Sequence, residues 1–176
     1  MRKLTMEELG RVTPESFQSQ PKTPIVLVLD NLRSALNVGS AFRTADAFAL
    51  EKIYLCGITA SPPHREILKT ALGSTDTVVW EYTNDATTAI AALKNEGYEV
   101  WAVEQVEGSK KLQEFHCQSI AKIALVFGNE VDGVGEEALL LCDGSLEIPQ
   151  FGTKHSLNVA VCVGIVVWEL TRQIKL

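Results

Sequence analysis

Short apolar runs alternate with polar or amphipathic segments along most of the chain. Six of these runs are four or five residues long and rich in Val, Ile and Leu, as in strands that are buried on both faces. Because strands alternating with helices are typical of a parallel sheet, the pattern predicts an α/β fold with a mostly parallel sheet and helices on both faces. The predicted strands are Ile25–Leu29, Lys52–Cys56, Thr77–Trp80, Glu99–Val103, Ile123–Phe127 and Ser145–Ile148.

The beginning of the chain departs from this alternation. The first 23 residues are polar and include Pro14 and Pro21, which predicts a short helix near Met6 to Gly10 followed by an arm. Residues 24–176 are then predicted to form a single domain with its own core.

The last apolar run, Val159–Trp168, is apolar on every side and is predicted to be a helix. It is too long for an ordinary strand, and Ser156 just ahead of it is a suitable N-cap. It is also too short to span a bilayer, so no membrane association is expected. A helix of this kind must be covered on all sides, either by its own fold or by a second subunit.

Composition and charge narrow the possible functions. Apolar residues make up 46% of the chain and charged residues 22%, as in ordinary globular domains. The four cysteines are far apart and form no Cys-x-x-Cys pair, which predicts reduced thiols in a cytoplasmic protein and no metal site. The net charge of -6 disfavours non-specific binding to nucleic acids, so any RNA must be bound by a local basic patch.

Three polar loops in the C-terminal part of the chain are the strongest candidates for a binding site. Gly128-Asn129-Glu130 follows one predicted strand, Ile148–Gly152 follows the next, and Ser156-Leu157-Asn158 precedes the last helix. Ligands of parallel sheets bind beyond the carboxyl ends of the strands, so these loops predict a pocket built largely from backbone. Neither a glycine-rich turn after the first strand nor a Gly-Lys-Ser sequence is present, which disfavours Rossmann-type or phosphate-loop binding.

The segment from Asn37 to Arg43 opens the helix after the first strand. Arg43 projects away from the apolar side of this helix and is expected to lie over Gly39, where the missing side chain leaves room for the guanidinium or a substrate backbone. The alternative is a solvated arginine and a tolerated glycine.

Three further side chains each allow two interpretations. Glu130 either orients a hydroxyl or an arginine, or is a solvated loop residue. Ser156 either contacts substrate or only caps the last helix, and Asn158 between two apolar residues needs a hydrogen-bond partner.

In order and spacing, these residues resemble three motifs of the SpoU/TrmH-type RNA ribose methyltransferases of the SPOUT superfamily. Asn37, Gly39 and Arg43 match the first motif, Phe127 to Glu130 the second, and Ile148 to Asn158 the third. The resemblance covers roughly residues 24 to 172.

The resemblance implies a C-terminal deep trefoil knot whose loops bind S-adenosylmethionine, and a homodimer formed through the first and last helices. Val103 replaces a small hydroxyl residue of many relatives, and the loop after Pro149 carries Gln150, Phe151 and Lys154. The cofactor-binding residues that the resemblance implies are Val103, Glu104, Gly128, Ile148 and Leu157.

The reaction implied is methyl transfer to a ribose 2'-hydroxyl of tRNA or rRNA, without a metal. In similar enzymes the counterpart of Arg43 is held to activate the 2'-hydroxyl. Because arginine stays protonated, Arg43 is interpreted as a ligand of the adjacent phosphate that also stabilises negative charge on the 2'-oxygen, and as a base only if its guanidinium is desolvated. The catalytic residues implied are Arg43, Asn37, Glu130, Ser156 and Asn158. Since the chain lacks the appended RNA-binding domain of many relatives, RNA binding is expected at Arg33, Arg65, Lys69 and Lys154, with Arg2, Lys3 and Arg11 of the arm.

Two other functions are compatible with the sequence. One is a catalytically silent RNA-binding protein with the same knotted fold, which the presence of Arg43 and Asn158 disfavours. The other is an unrelated α/β protein that binds a different nucleotide, which the missing phosphate loop disfavours.

Overall fold

The computed structural model describes residues 1–5, 8–10, 12–117, 122–154 and 156–175. Within these ranges the strands are β1 (Thr23–Asp30), β2 (Leu50–Cys56), β3 (Trp80–Thr83), β4 (Glu99–Val103), β5 (Lys110–Lys111), β6 (Ile123–Phe127) and β7 (Gly144–Glu147). The helices in the same ranges are α1 (Pro14–Ser19), α2 (Ala35–Ala47), α3 (Arg65–Ala71), α4 (Ala86–Asn95), α5 (Glu136–Leu141) and α6 (Val159–Lys175), with 3-10 turns at Ser74–Asp76 and Leu112–Glu114.

The seven strands of the described residues form one sheet in the order β3-β2-β1-β6-β4-β7-β5, and all neighbouring strands are parallel. Alternate residues of β1 face opposite layers, as the period of a strand requires. Ile25, Leu27 and Leu29 belong to the core under α2, α3 and α6, whereas Val26 and Val28 belong to the core under α4 and α5. The predicted parallel sheet with helices on both faces is therefore confirmed.

Most predicted strands lie where the sequence indicated them. β4 and β6 have the predicted bounds, and β1, β2 and β7 differ at their ends by one or two residues. The third predicted strand, Thr77–Trp80, was wrong, because β3 begins only at Trp80. The Thr77 hydroxyl donates to the Asp46 carboxylate over 2.7 Å, and Val78 is buried as part of a turn.

The N-terminal arm contains a helix that the sequence interpretation missed. The Thr13 hydroxyl accepts from the Ser16 N–H over 3.3 Å, and Pro14 occupies the first turn of α1. Phe17 is buried, and the Lys22 ammonium lies 3.4 Å from the centre of its ring. Of the helix predicted near Met6 to Gly10, residues 8–10 form a turn, and residues 6 and 7 lie outside the described residues.

Helix α6 begins at Val159 as predicted, but the fold covers only one of its sides. The buried side, Val163, Val166, Val167 and Leu170, packs in the core. On the opposite side, Val161, Ile165 and Trp168 are 50%, 38% and 50% exposed. No helix in the described part of the chain is long and apolar enough to cross a membrane.

Helices α2 and α6 lie side by side and run in the same direction. At their beginnings the Asn158 amide donates to the Asn37 side-chain oxygen over 3.2 Å. Further along, at the end of α2 and near the middle of α6, the rings of Phe48 and Trp168 are 6.1 Å apart. The start of α6 is thereby fixed beside the start of α2, at the carboxyl edge of the sheet.

Candidate functional site

A cavity of about 450 Å³ opens at the carboxyl ends of β4, β6 and β7. Its volume is within the range of about 300–1,000 Å³ that is typical of small-molecule sites. Its walls come from the segments after these strands and from the first turn of α6. All five predicted cofactor-binding residues, Val103, Glu104, Gly128, Ile148 and Leu157, line it.

The loop after β6 is folded tightly against one wall of this cavity. Asn129 and Gly133 exchange backbone hydrogen bonds of 3.0 and 3.1 Å, and the Asn129 side chain accepts from two further N–H groups inside the turn. A Cβ on Gly128 would overlap the backbone of Gly133 and Val134. Glycine at position 128 is therefore required by the close approach of two backbone segments.

Glu104 shapes the same loop through its side chain. One carboxylate oxygen accepts from the Val134 N–H over 3.1 Å, and the other accepts from the Gln105 N–H over 3.0 Å. Gly133 has a φ of +71°, and a Cβ there would overlap the Glu104 carboxylate. Glu104 thus lines the cavity while it holds the Gly128–Val134 loop in place.

Asn37, Glu130 and Asn158, predicted from three separate motifs, form one hydrogen-bonded chain. The Asn37 amide donates to Glu130 Oε1 over 2.8 Å, and the Asn37 oxygen accepts from the Asn158 amide. Glu130 also accepts from the backbone N–H groups of Arg33 and Ser34, over 3.1 and 3.3 Å. Elements far apart in sequence therefore meet beside the cavity.

These contacts set the protonation state of Glu130. Partial burial alone would raise its pKa, but the hydrogen bonds donated by the Arg33 N–H, the Asn37 amide and the Ser34 N–H outweigh it, so the pKa is lowered. The N-terminal end of α2 also favours a negative charge at this place. Glu130 is a carboxylate at neutral pH and acts as an acceptor that orients its neighbours.

Asn158, not Ser156, caps α6. Its side-chain oxygen accepts from the Ala160 N–H over 2.9 Å, and its carbonyl accepts from Val161 and Cys162. The interpretation of Ser156 as a helix cap was therefore wrong. Ser156 is exposed and lines the cavity, where its hydroxyl can contact a ligand.

Arg43 is exposed on α2 and does not line the cavity of its own chain. Its guanidinium forms no hydrogen bond or salt bridge with any other described residue. The expected space over Gly39 is filled by α3, because a Cβ on Gly39 would overlap Thr70 Oγ1 and the Ile67 carbonyl. Arg43 therefore lies outside the hydrogen-bonded chain of Asn37, Glu130 and Asn158 and outside the cavity that Ser156 lines.

The predicted RNA-binding residues are all exposed, at three places around the carboxyl edge of the sheet. Arg33 precedes α2, Arg65 and Lys69 share one side of α3, and Lys154 lies in the loop between β7 and α6. None of these four forms a salt bridge with a described residue. Of the arm cations, Arg2 pairs with Glu8 over 2.6 Å, and residue 11 lies outside the described residues.

Asp30 was missed by the sequence analysis. It is buried at the end of β1, where its carboxylate accepts from the Gly135 N–H over 3.0 Å and from the Asn31 amide over 2.8 Å. Asp30 thereby fixes the far end of the loop that Glu104 holds. The sequence signal was an aspartate directly after a run of buried apolar residues. Among the described residues, no group of three or more His, Cys, Asp or Glu side chains could hold a metal ion.

Comparison with known proteins gives consistent matches. The SpoU rRNA Methylase family model matches residues 24–168. The 23S rRNA (guanosine-2'-O-)-methyltransferase RlmB of Neisseria meningitidis is 31% identical over 89% of this chain and 62% of its own length. The tRNA (guanosine(18)-2'-O)-methyltransferase of Thermus thermophilus is 30% identical over 98% of this chain and 86% of its own.

A solved structure extends the match to the fold. The AdoMet-bound rRNA methyltransferase from Sinorhizobium meliloti superposes with a TM-score of 0.80 and 29% identity, over 89% of this chain and 58% of that one. The chain thus spans only about three-fifths of the two rRNA methyltransferases, but most of the tRNA enzyme.

Proposed function

Because the chain belongs to the SpoU rRNA Methylase family, we propose that it transfers a methyl group from S-adenosylmethionine to a ribose 2'-hydroxyl of tRNA or rRNA. The observation that carries this proposal is the chain of hydrogen bonds from Glu130 through Asn37 to Asn158 beside the cavity. It unites residues of all three motifs at one place, next to a space large enough for the cofactor.

The cavity suits S-adenosylmethionine in its charge as well as its size. Glu104, Glu130 and Glu147 line it, and no lysine or arginine is among the described residues of its wall. A ligand with sulfonium and ammonium groups is favoured there, whereas a ligand with several phosphates is not. Leu146, Ile148 and Leu157 supply apolar surface for the adenine ring.

S-adenosylmethionine would supply the methyl group and a sulfonium leaving group, so the protein has to position the ribose and stabilise charge. We assign the positioning to the chain Glu130–Asn37–Asn158 and to the Ser156 hydroxyl at the cavity. Arg43 binds the adjacent phosphate and stabilises negative charge on the 2'-oxygen, because a protonated guanidinium cannot accept the proton. The hydroxyl proton passes to solvent water as the methyl group is transferred.

We also propose a homodimer that pairs through α2 and α6. Leu36, Arg43 and Ala47 lie on one exposed side of α2, beside the exposed apolar side of α6. Two copies of this surface would cover each other, as in a two-fold interface. Arg43 lies within this surface and outside its own cavity, which supports a site that the partner's Arg43 completes.

Two finer features of the family are part of the proposal. Residues 1–23 form an arm, and residues 24–176 form the methyltransferase domain, which the start of the family match at residue 24 supports. The segment from β6 to α6 forms the deep trefoil knot. After β7 the chain passes through the cavity loop, and α6 then packs in the core with β1 and α2. Since β1 is three strands away from β7 in the sheet, this path supports the threading.

The proposed activity is tested by incubating the protein with labelled S-adenosylmethionine and total RNA, then mapping the methylated position. Arg43→Ala should lower turnover by about 10²- to 10³-fold, as loss of a charge-stabilising donor does. Its cofactor affinity, measured by calorimetry, should be unchanged. Arg43→Lys should recover only part of the activity, because lysine lacks the planar two-pronged contact. Tight RNA binding without methylation would instead favour the catalytically silent alternative.

Mixing two inactive variants tests whether the site is shared between subunits. If Arg43 acts on the partner's cavity, an equal mixture of Arg43→Ala and Asn158→Ala should recover about a quarter of the wild-type activity, because half of the dimers then carry one intact site. No recovery, from variants that are shown to exchange subunits, would assign Arg43 to its own cavity.

A further inference from the structure

Phe151 is the one large apolar side chain in the loop between Pro149 and Ser156, and it is 98% exposed. A single exposed apolar residue is common in proteins and is no argument by itself. The position of this one is unusual, because its chain neighbour Gln150 lines the cavity and so does Ser156 at the other end of the loop. Phe151 therefore belongs to a loop that borders the cavity, while its ring is open to solvent.

The charge around Phe151 differs from that of the whole molecule. From Pro149 to Asn158 the chain contains no Asp or Glu, although its net charge is -6. Lys154, three residues after Phe151, is exposed and forms no salt bridge with any residue that the structure describes. An exposed ring and an unpaired ammonium in one loop are a combination with which proteins bind single-stranded nucleic acids: the ring stacks on a base and the cation contacts a phosphate.

The loop leaves the ring available to a partner. Gly152 has no atom within 4 Å of the place where a Cβ would be, so the backbone beside Phe151 is not packed against the fold. Phe151 itself does not line the cavity, which argues against a role of its ring in covering a bound cofactor. It is also separate in sequence from the exposed sides of α2 and α6 that we assign to the dimer.

We propose that Phe151 stacks on an RNA base next to the nucleotide whose ribose enters the cavity, and that Lys154 contacts the phosphate between them. This inference rests on the proposed function and extends it, since it names a recognition element for unpaired bases. It places the methylated nucleotide in a loop or single-stranded region, because a base inside an A-form helix has no free face for the ring.

Binding to two oligoribonucleotides tests the stacking without any need for catalysis. One is a fluorescein-labelled 12-nucleotide oligoadenylate, and the other has the same length and phosphates but abasic sites. The wild type should bind the oligoribonucleotide with bases more tightly than the abasic one. In Phe151→Ala the ratio of the two affinities should fall by about 5- to 150-fold, which corresponds to about 1–3 kcal/mol per stacked base. Phe151→Trp should keep the preference, whereas Phe151→Leu should not, because leucine has no aromatic face.

Two further variants serve as controls. Lys154→Ala should lower the affinity for both oligoribonucleotides by the same factor and reduce the salt dependence of binding. Leu140→Ala removes another apolar side chain, 85% exposed on α5, and should change neither affinity. All of these side chains are exposed, so the thermal midpoints should stay at the wild-type value.

Several results would overturn the proposal. A wild type that fails to distinguish the two oligoribonucleotides, or binds neither, would exclude stacking by Phe151. A weaker affinity of Phe151→Ala for S-adenosylmethionine would make the ring part of the cofactor site, and a change in its sedimentation would make it part of a subunit interface. If methylation is found, Phe151→Ala should raise KM for RNA at unchanged kcat. Because binding is measured separately, absence of methylation would contradict the proposed function and leave the stacking result standing.

Discussion

At Gly39 the backbone of α2 lies against α3, and there is no space for a side chain. Gly39→Ala should therefore destabilise the protein by about 1–3 kcal/mol, although alanine is the better helix former, because the added methyl group forces the two helices apart. Denaturant unfolding measures this change. Ser40→Ala, one position further along the same helix, should stay within about 0.5 kcal/mol of wild type. A stabilised Gly39→Ala variant would show that the helices separate easily.

Glu130 should make the stability of the folded protein depend on pH in the acidic range. Its pKa is lowered in the folded protein, so its stabilising contribution is complete above its ordinary value of 4.5 and is lost as the pH falls through the lowered value. As the pH falls below 4.5, the thermal unfolding midpoint should therefore decrease less steeply for Glu130→Gln than for wild type. Exposed Glu107, changed to Gln, is the control and should keep the wild-type slope. Equal slopes for all three proteins would mean that the Glu130 contacts do not persist in solution.

The sequence motifs predicted which residues belong to the site, but not the contacts between them. The residue types and order indicated Asn37, Glu130 and Asn158, but not that they contact one another, because those contacts depend on the meeting of three distant loops. The cap of α6 was assigned to Ser156 because serine is a favoured cap, whereas Asn158 starts the helix and makes the contact. For Gly39, the sequence indicated a spatial reason but not the neighbour, α3.

At the scale of elements, apolar periodicity predicted the central strands best. β4 and β6 are flanked by other strands on both sides, so all of β6 and all of β4 after Glu99 is apolar. β3 lies at the edge of the sheet, where its exposed residues weaken the signal and the buried Val78 of the preceding turn imitates a strand. The signature of α1 was visible as a threonine cap followed by proline, but the prolines of the segment favoured an arm.

At the scale of the molecule, alternation of elements predicted a parallel sheet but not its strand order. Nothing in the local pattern indicates that β6 lies between β1 and β4, because strand order is decided by which apolar faces cover each other. The family, by contrast, was identified correctly from three short motifs, because their order and spacing are set by the requirements of one site. Features fixed by interactions between residues close in sequence can thus be predicted from the sequence, whereas features fixed by contacts between distant segments cannot.

The exposed side of α6 leads to a prediction for the whole assembly. The sequence could not distinguish its two sides, since valine and isoleucine occur on both, but Val163 and Val167 are buried in the core, and Ile165 faces outward. A charge at position 163 or 167 would therefore disrupt folding, whereas Ile165→Glu should leave the fold intact and separate the subunits, because it would place a charge in the proposed apolar interface.

Sedimentation at micromolar concentration should give a dimer for wild type and a species of 19.3 kDa for Ile165→Glu. Circular dichroism should be the same for both. Leu140→Glu adds the same charge on α5, away from this surface, and should remain dimeric. If Arg43 acts across the interface, Ile165→Glu should also lose methylation while it keeps S-adenosylmethionine affinity, since the cavity wall lies within one chain. A monomeric wild type would contradict the dimer, and the exposed apolar side of α6 would then be free for another partner.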